Sequence, residues 1–278
     1  MSVALPFPPP IEKSLPTHLD LPCTDGLPVP SFAEFPQSNL LSTSIRPVLD
    51  RLHPDGMYII GQDNGIYYRI TDPPLDGCKS PDWYYIPGAD PTPTDFPYRR
   101  SYVLWQEQIK PTVLIEYVSD DSGREWDRTP ETGKFWVYEQ VLDAHYYAIH
   151  THETGVLEVY KRIRGKLQRM KPNSHGRYPI STFGLELGTK HEKVGPFELD
   201  WLRWFDVDGI LLPSAEEQID LERLKLERAM RRAATANQRA TSAEQLATAA
   251  EQRATSAEEQ ARKLANKLRE LGIDPEKL

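Results

Sequence analysis

Two carboxylates and one ammonium are the residues in this sequence best placed to do chemistry. Asp82 lies in Gly77-Cys78-Lys79-Ser80-Pro81-Asp82-Trp83-Tyr84-Tyr85, Glu116 in Thr112-Val113-Leu114-Ile115-Glu116-Tyr117-Val118-Ser119, and Lys134 in Gly133-Lys134-Phe135-Trp136-Val137-Tyr138. If the first two segments are neighbouring strands, Asp82 and Glu116 present hard oxygen ligands to Mg²⁺, with Mn²⁺ as a second candidate. A backbone carbonyl such as that of Tyr117, together with water, would complete the octahedron. A metal held in this way polarises a scissile phosphate and acidifies an attacking water. Lys134 would hold that water or offset charge in the transition state.

Each residue also has a plainer reading. Asp82 follows Pro81 and would serve as a turn or strand-cap aspartate. Lys134 would be a surface lysine at a helix start, and Ser119 either caps the Glu116 strand or does ordinary turn duty. Glu116 is harder to place without a function. Inside Val-Leu-Ile-Glu-Tyr-Val, an unpaired charge would cost several kcal/mol on burial, so it needs a cation, a metal or an exposed strand end. Glu34 is a weaker candidate for an extra acid reaching the same site from an N-terminal helix, and His145, His150 and His152 form no convincing ligand cluster.

The elements that must position these residues follow from pattern. Ser31 to Leu52 reads as a helix in which Pro47 should mark a break or a new first turn. Met57 to Ile60 and Ile66 to Ile70 read as strands separated by the turn signal Asp63-Asn64-Gly65. Trp83 to Ile86, Tyr102 to Trp105 and Val113 to Val118 read as further strands, the last apolar enough to be central and buried on both faces. A helix is expected from Pro130 to Val141, with Glu131 in its first turn. Strands at His145 to Ile149, Leu157 to Ile163, Arg177 to Ile180, Leu185 to Leu187 and Leu199 to Phe205 complete an α/β or α+β core around one sheet.

These segments carry a resemblance. Pro81-Asp82, Ile115-Glu116 with Ser119, Gly133-Lys134-Phe135 with Tyr138, Gly176-Arg177-Tyr178 and Trp201-Leu202-Arg203-Trp204 are similar to the Uma2 family of restriction-endonuclease-like proteins, within the PD-(D/E)xK nuclease superfamily. The similarity runs from about Pro22 through Leu212. It implies a restriction-endonuclease-like central mixed sheet with flanking helices, and a metal-dependent endonuclease hydrolysing DNA phosphodiester bonds. Asp82 and Glu116 would bind the metal, and Asp82, Glu116 and Lys134 would be catalytic. The superfamily pattern places a lysine two residues after the second acid, where this chain has Val118; the resemblance implies that Lys134, on the following helix, replaces it.

Composition bounds these readings. The 278 residues carry a formal charge of -8 with a pI near 5.5 and mean hydropathy of -0.57, which does not fit a nonspecific DNA coat protein. A local basic patch from Arg99-Arg100, Lys161 to Lys171 and Arg203 could still guide a nucleic acid, or these residues are solvated faces. Cys23 and Cys78 are the only cysteines, which suggests a reducing, cytoplasmic setting. The amino terminus lacks the pattern of a secretory signal, and no run reaches membrane-spanning length, so no membrane partner is expected.

Four regions are expected: a proline-rich extension over 1–30 running extended on the surface, a nuclease-like domain over 31–213, a helix over 214–272 and a short tail over 273–278. Ser214 and Glu217 have capping-box spacing. Ala233, Ala240, Ala247, Ala254, Ala261 and Leu268 recur every seven residues, with Ala236, Ala243, Ala250, Ala257, Leu264 and Leu271 three further on. That period favours a coiled coil, hence a homo-oligomer such as a dimer, or a protein partner captured by the helix. A solvent-exposed helix of high propensity is the alternative. The function read against the nuclease is accordingly a catalytically inactive nuclease-like binding protein assembled through this C-terminal coiled coil.

Overall fold

A computed structural model describes residues 15–23, 31–92, 97–118 and 122–272. The chain divides into two compact units, Met1–Ala215 and Glu216–Leu278. Ser119, the tail 273–278 and most of the proline-rich extension lie outside the described residues.

The first unit is an α/β fold with mixed sheets and flanking helices. Helix α1 (Glu34–Leu52) is followed by β1 (Tyr58–Gly61), β2 (Ile66–Tyr67), β3 (Cys78–Lys79), β4 (Trp83–Pro87) and β5 (Tyr102–Val103). Then come α2 (Leu104–Glu107), β6 (Val113–Val118), α3 (Lys134–Gln140), β7 (Tyr146–Thr151), β8 (Val156–Ile163), β9 (Lys166–Arg169), β10 (Tyr178–Ile180), β11 (Leu185–Val194) and β12 (Phe197–Phe205). Among the described residues, three sheets replace the single one expected: a six-stranded sheet ordered β1-β4-β6-β7-β8-β9, and three-stranded sheets β10-β11-β12 and β3-β2-β5.

In the large sheet only β6 and β7 run parallel. Parallel neighbours need a crossover, and the segment carrying α3 supplies it. Side chains alternate across the sheet. Trp83, Tyr85, Val113, Ile115 and Tyr117 point to one face, where they pack with Leu41, Ile45 and Leu49 of α1 and with Leu187, Leu202 and Trp204 of the small antiparallel sheet. Tyr84, Ile86 and Leu114 point to the other face, under Phe135, Val137 and Tyr138 of α3. Both faces are therefore covered, which is why β6 reads as an almost unbroken apolar run.

Several expectations need correction. Pro47 sits inside a continuous α1 rather than at a break; the burial of Ile45 and Leu49 on either side holds the helix together despite the lost hydrogen bond. The segments β1 and β2 do not pair, and β2 joins β3 and β5 instead. Tyr102 to Trp105 is a two-residue strand that passes directly into α2.

The third helix begins at Lys134, so Pro130 and Glu131 precede it. Glu131 has a positive φ of 69° and pairs with Arg69 at 3.2 Å. The described part of the amino-terminal segment is docked on the first unit: Leu21 is buried, Trp105 Nε1 donates to the Pro16 carbonyl and the Tyr67 hydroxyl donates to that of Pro22.

In the second unit, α4 (Ala215–Glu270) is a single helix of 56 residues with no buried residue among those described, about 84 Å long at the usual rise. Gly272 follows it at a φ of 75°, the left-handed conformation with which glycine closes helices. No helix among the described residues is long and apolar enough to cross a membrane.

Candidate functional site

The two acids meet across adjacent strands. Antiparallel β4 and β6 pair Trp83 with Ile115 and Tyr84 with Leu114, so continuing the register by one residue sets Asp82 opposite Glu116. Directly opposed side chains have Cβ atoms about 4.5–5.5 Å apart, and like charges placed there are destabilising. Both belong to the alternating set that faces α3. The backbone N–H of Tyr117 donates to Asp82 Oδ2, which fixes the carboxylate just where β4 begins. Ser38 of α1 supports the same corner, donating from Oγ to the Asp82 carbonyl at 3.2 Å and lying 3.0 Å from the Tyr117 hydroxyl.

Helix α3 delivers the counter-charge. Lys134 and Tyr138 are four residues apart and so share one helix face, and both reach Glu116. Lys134 Nζ lies 2.8 Å from Glu116 Oε2, and the Tyr138 hydroxyl donates to Oε1. Glu116 is completely buried and Lys134 is 20% exposed. Gly133 makes the placement possible, because a Cβ there would fall 2.4 Å from the Asp127 carbonyl oxygen. This is a close approach that only glycine tolerates.

Two further acids surround the pair. Glu34, the first residue of α1, is buried. Glu125, in a 3-10 turn at Arg124–Trp126, places Oε1 3.7 Å from Lys134 Nζ, and its buried Oε2 has no hydrogen-bond partner. Sequence reading reached Glu34 but missed Glu125, since a glutamate among polar loop residues carries no periodic signal. The only hint is its position beside Trp126, a residue that must pack.

Four carboxylates thus gather around one ammonium, and the protonation equilibria reflect it. Burial holds the Asp82 carboxyl well above the usual range and the Glu116 charge adds to this, against a smaller opposing pull from Lys134 and the Tyr117 N–H. Burial pushes Glu34 up to about 7, with Asp63 and Glu116 contributing. For Lys134, burial alone would favour the neutral amine, but the charges of Glu116 and Asp82 outweigh it and its pKa is raised. Burial, reinforced by Glu116, likewise keeps the Tyr138 phenol protonated far above its ordinary range. That suits a hydroxyl that must donate.

The donor chemistry fits a hard divalent cation. Asp82 and Glu116 supply two hard oxygen donors on facing strands; among the described residues, no three His, Cys, Asp or Glu side chains form a metal-holding group. Mg²⁺ keeps several waters and commonly takes only one or two carboxylates. Asp82 Oδ2 accepts the Tyr117 N–H, and the excess of carboxylates over ammonium favours a further positive charge.

Other expected residues lie elsewhere. Arg203 is buried and paired with Glu192, so it belongs to no surface patch. Lys166 and Arg169 lie on β9 and pair with Glu139 and Glu158, while Lys161 sits over the Tyr146 ring. His150 and His152 are buried side by side with ring centroids 4.8 Å apart, whereas His145 is exposed. Compared with known protein families the chain matches no family model, and compared with curated proteins it finds no match.

Proposed function

We propose that this chain is a metal-dependent endonuclease that hydrolyses phosphodiester bonds in DNA, built on a restriction-endonuclease-like core of the kind the Uma2 resemblance implies. The observation that carries the reading is the convergence of Asp82, Glu116 and Lys134 from two strands and a helix. A like-charged pair placed directly across two central strands lowers stability unless it serves a cation. Asp82 and Glu116 would hold Mg²⁺, or Mn²⁺ in its place, and the ion when bound would supply Lewis-acid polarisation of the phosphate and an acidified water.

The protein's own groups have separate tasks. The Tyr117 N–H and the Tyr138 hydroxyl fix the orientation of the two carboxylates. Lys134 offsets the negative charge that builds on the phosphate as the bond breaks. Glu34, buried at the start of α1 and electrostatically coupled to Glu116 and Lys134, is the weaker candidate for an extra acid at the site.

A test is cleavage of plasmid and linear duplex by the full chain with Mg²⁺ or Mn²⁺. Asp82→Asn and Glu116→Gln are each expected to abolish cutting with the far-UV spectrum unchanged. Cleavage that survives both substitutions rejects the assignment. The second reading, a catalytically inactive nuclease-like binding protein assembled by its C-terminal helix, draws on the two protein partners that Glu116 already holds and on the heptad pattern of α4. It predicts DNA binding without cleavage under either metal. Its homo-oligomer, or its capture of a protein partner through that helix, would be lost on truncation after Pro213.

A further inference from the structure

We infer that the cleft between α1, β1 and the segment leading into β5 is a binding site for a phosphate group, separate from the acidic pair. The cleft has a volume of about 440 Å³ and is lined by Arg46, the backbone of β1, Tyr84 and the run Arg99 to Tyr102. None of Asp82, Glu116 and Lys134 lines it.

Its walls are rich in donors. Three guanidinium groups, those of Arg46, Arg99 and Arg100, meet one lining carboxylate, Asp50, which already accepts the Tyr58 hydroxyl at 2.6 Å. Arg99 is fixed in place by Glu107 and by the Asp90 carbonyl, yet its Nε is buried without a partner. Ser101 is 2% exposed and its hydroxyl also has no partner. Arg100 gives one nitrogen to the Leu19 carbonyl at 3.0 Å, and Arg46 lines the cleft from α1 with an exposed side chain.

The edge strand adds a backbone donor. Among the described residues β1 pairs only with β4, and the Gly88 N–H donates to the Met57 carbonyl. Alternation then turns Ile59 and Gly61 toward β4 and leaves the N–H of Ile60, together with its C=O, pointing away from β4 on the cleft side. Buried donors without acceptors are costly, so a ligand offering only acceptors gains from meeting them. A phosphate is such a ligand, and its oxygens match the planar fork of arginine.

The placement also points to phosphate. Tyr84 lies two residues beyond Asp82 on the same face of β4, about 7 Å along the strand. Its ring runs up to Gly61 at the cleft, where a Cβ would fall 1.9 Å from it. A nucleic-acid strand reaching the acidic pair would therefore carry another of its phosphates past the cleft. That source rests on the proposed function; the phosphate site itself does not.

Calorimetric titration of the full chain with inorganic phosphate, and in parallel with a single-stranded oligonucleotide, tests this. The wild type and Glu116→Gln should bind phosphate equally. The double variant Arg46→Ala/Arg100→Ala should bind it at least about tenfold more weakly, a loss of about 1.4 kcal/mol, with an unchanged far-UV spectrum. Competition between oligonucleotide and phosphate would identify the source as the nucleic-acid backbone; phosphate binding without competition would identify a free phosphate ester. No binding of millimolar phosphate by the wild type, or equal binding by the double variant, overturns the site. A wild type that never cuts DNA but loses phosphate with the two arginines would sink the hydrolase reading and leave the cleft standing.

Discussion

Replacing Lys134 by methionine separates the electrostatic role of the site from its packing. Methionine keeps most of the length and apolar volume of the side chain but removes the ammonium. Glu116, completely buried, would lose its 2.8 Å ion pair and keep, among the described residues, the Tyr138 hydroxyl. Glu125, 3.7 Å from the same ammonium, would lose its cation too. Removing one partner of a buried pair costs about 3–5 kcal/mol because the other charge is left uncompensated. For a unit of this size that lowers the melting temperature by roughly 10 °C.

The loss should depend on pH, with a definite sign. Asp82 and Glu34 have folded pKa values raised above the ordinary carboxylate range, so they bind protons more tightly folded than unfolded. Stability therefore falls as pH rises from the unfolded carboxylate range through the folded values. Lys134 holds both of those values down; without it they climb further and the fall steepens. Urea unfolding at about pH 5 and pH 8 should show Lys134→Met costing more at the higher pH. In a double-mutant cycle, adding Glu116→Gln should recover about 2 kcal/mol or more of the loss. A Lys134→Met cost under about 1 kcal/mol at pH 8, or an additive cycle with no pH dependence, would refute the reasoning.

Glu34→Gln should stabilise the protein near pH 8 by at most about 3 kcal/mol, the equivalent of moving a pKa from 4.5 to about 7, and should have little effect near pH 4; equal effects at both pH values in denaturant titrations would contradict it. Tyr138→Phe removes a donor to a buried carboxylate and should cost about 1.5–3 kcal/mol, measured by the urea midpoint at constant slope. Gly133→Ala should drive a methyl group into the Asp127 carbonyl and displace the start of α3, destabilising the protein by about 1–3 kcal/mol. It should also move the ¹⁵N resonance of the Lys134 ammonium, and an unchanged resonance would show that the glycine does not set the lysine's position.

Pattern in the sequence determined a good part of this architecture. The apolar run of Val113 to Val118 marked a central strand, and the single glutamate within it marked a charge in need of a cation. The long stretch without glycine or proline after Pro213 marked the terminal helix. These features are local: they depend on side-chain alternation, helix periodicity and the cost of burying charge, all of which are written into neighbouring residues.

Tertiary structure decided the rest. Whether β1 pairs with β2 or with β4 depends on which partner covers its apolar face, and the turn signal at Asp63-Asn64-Gly65 was too weak to settle that competition. Arg203 reads as a surface cation until Glu192 arrives from the neighbouring strand of the small sheet. Glu125 carries no periodic signal, only its place beside Trp126, until the turn that holds it brings it to Lys134. Asp82, Glu116 and Lys134 are separated by 34 and 18 positions along the chain, and no local rule relates them. They become one site only because antiparallel register sets the two acids opposite each other and the parallel crossover lays α3 over that same face.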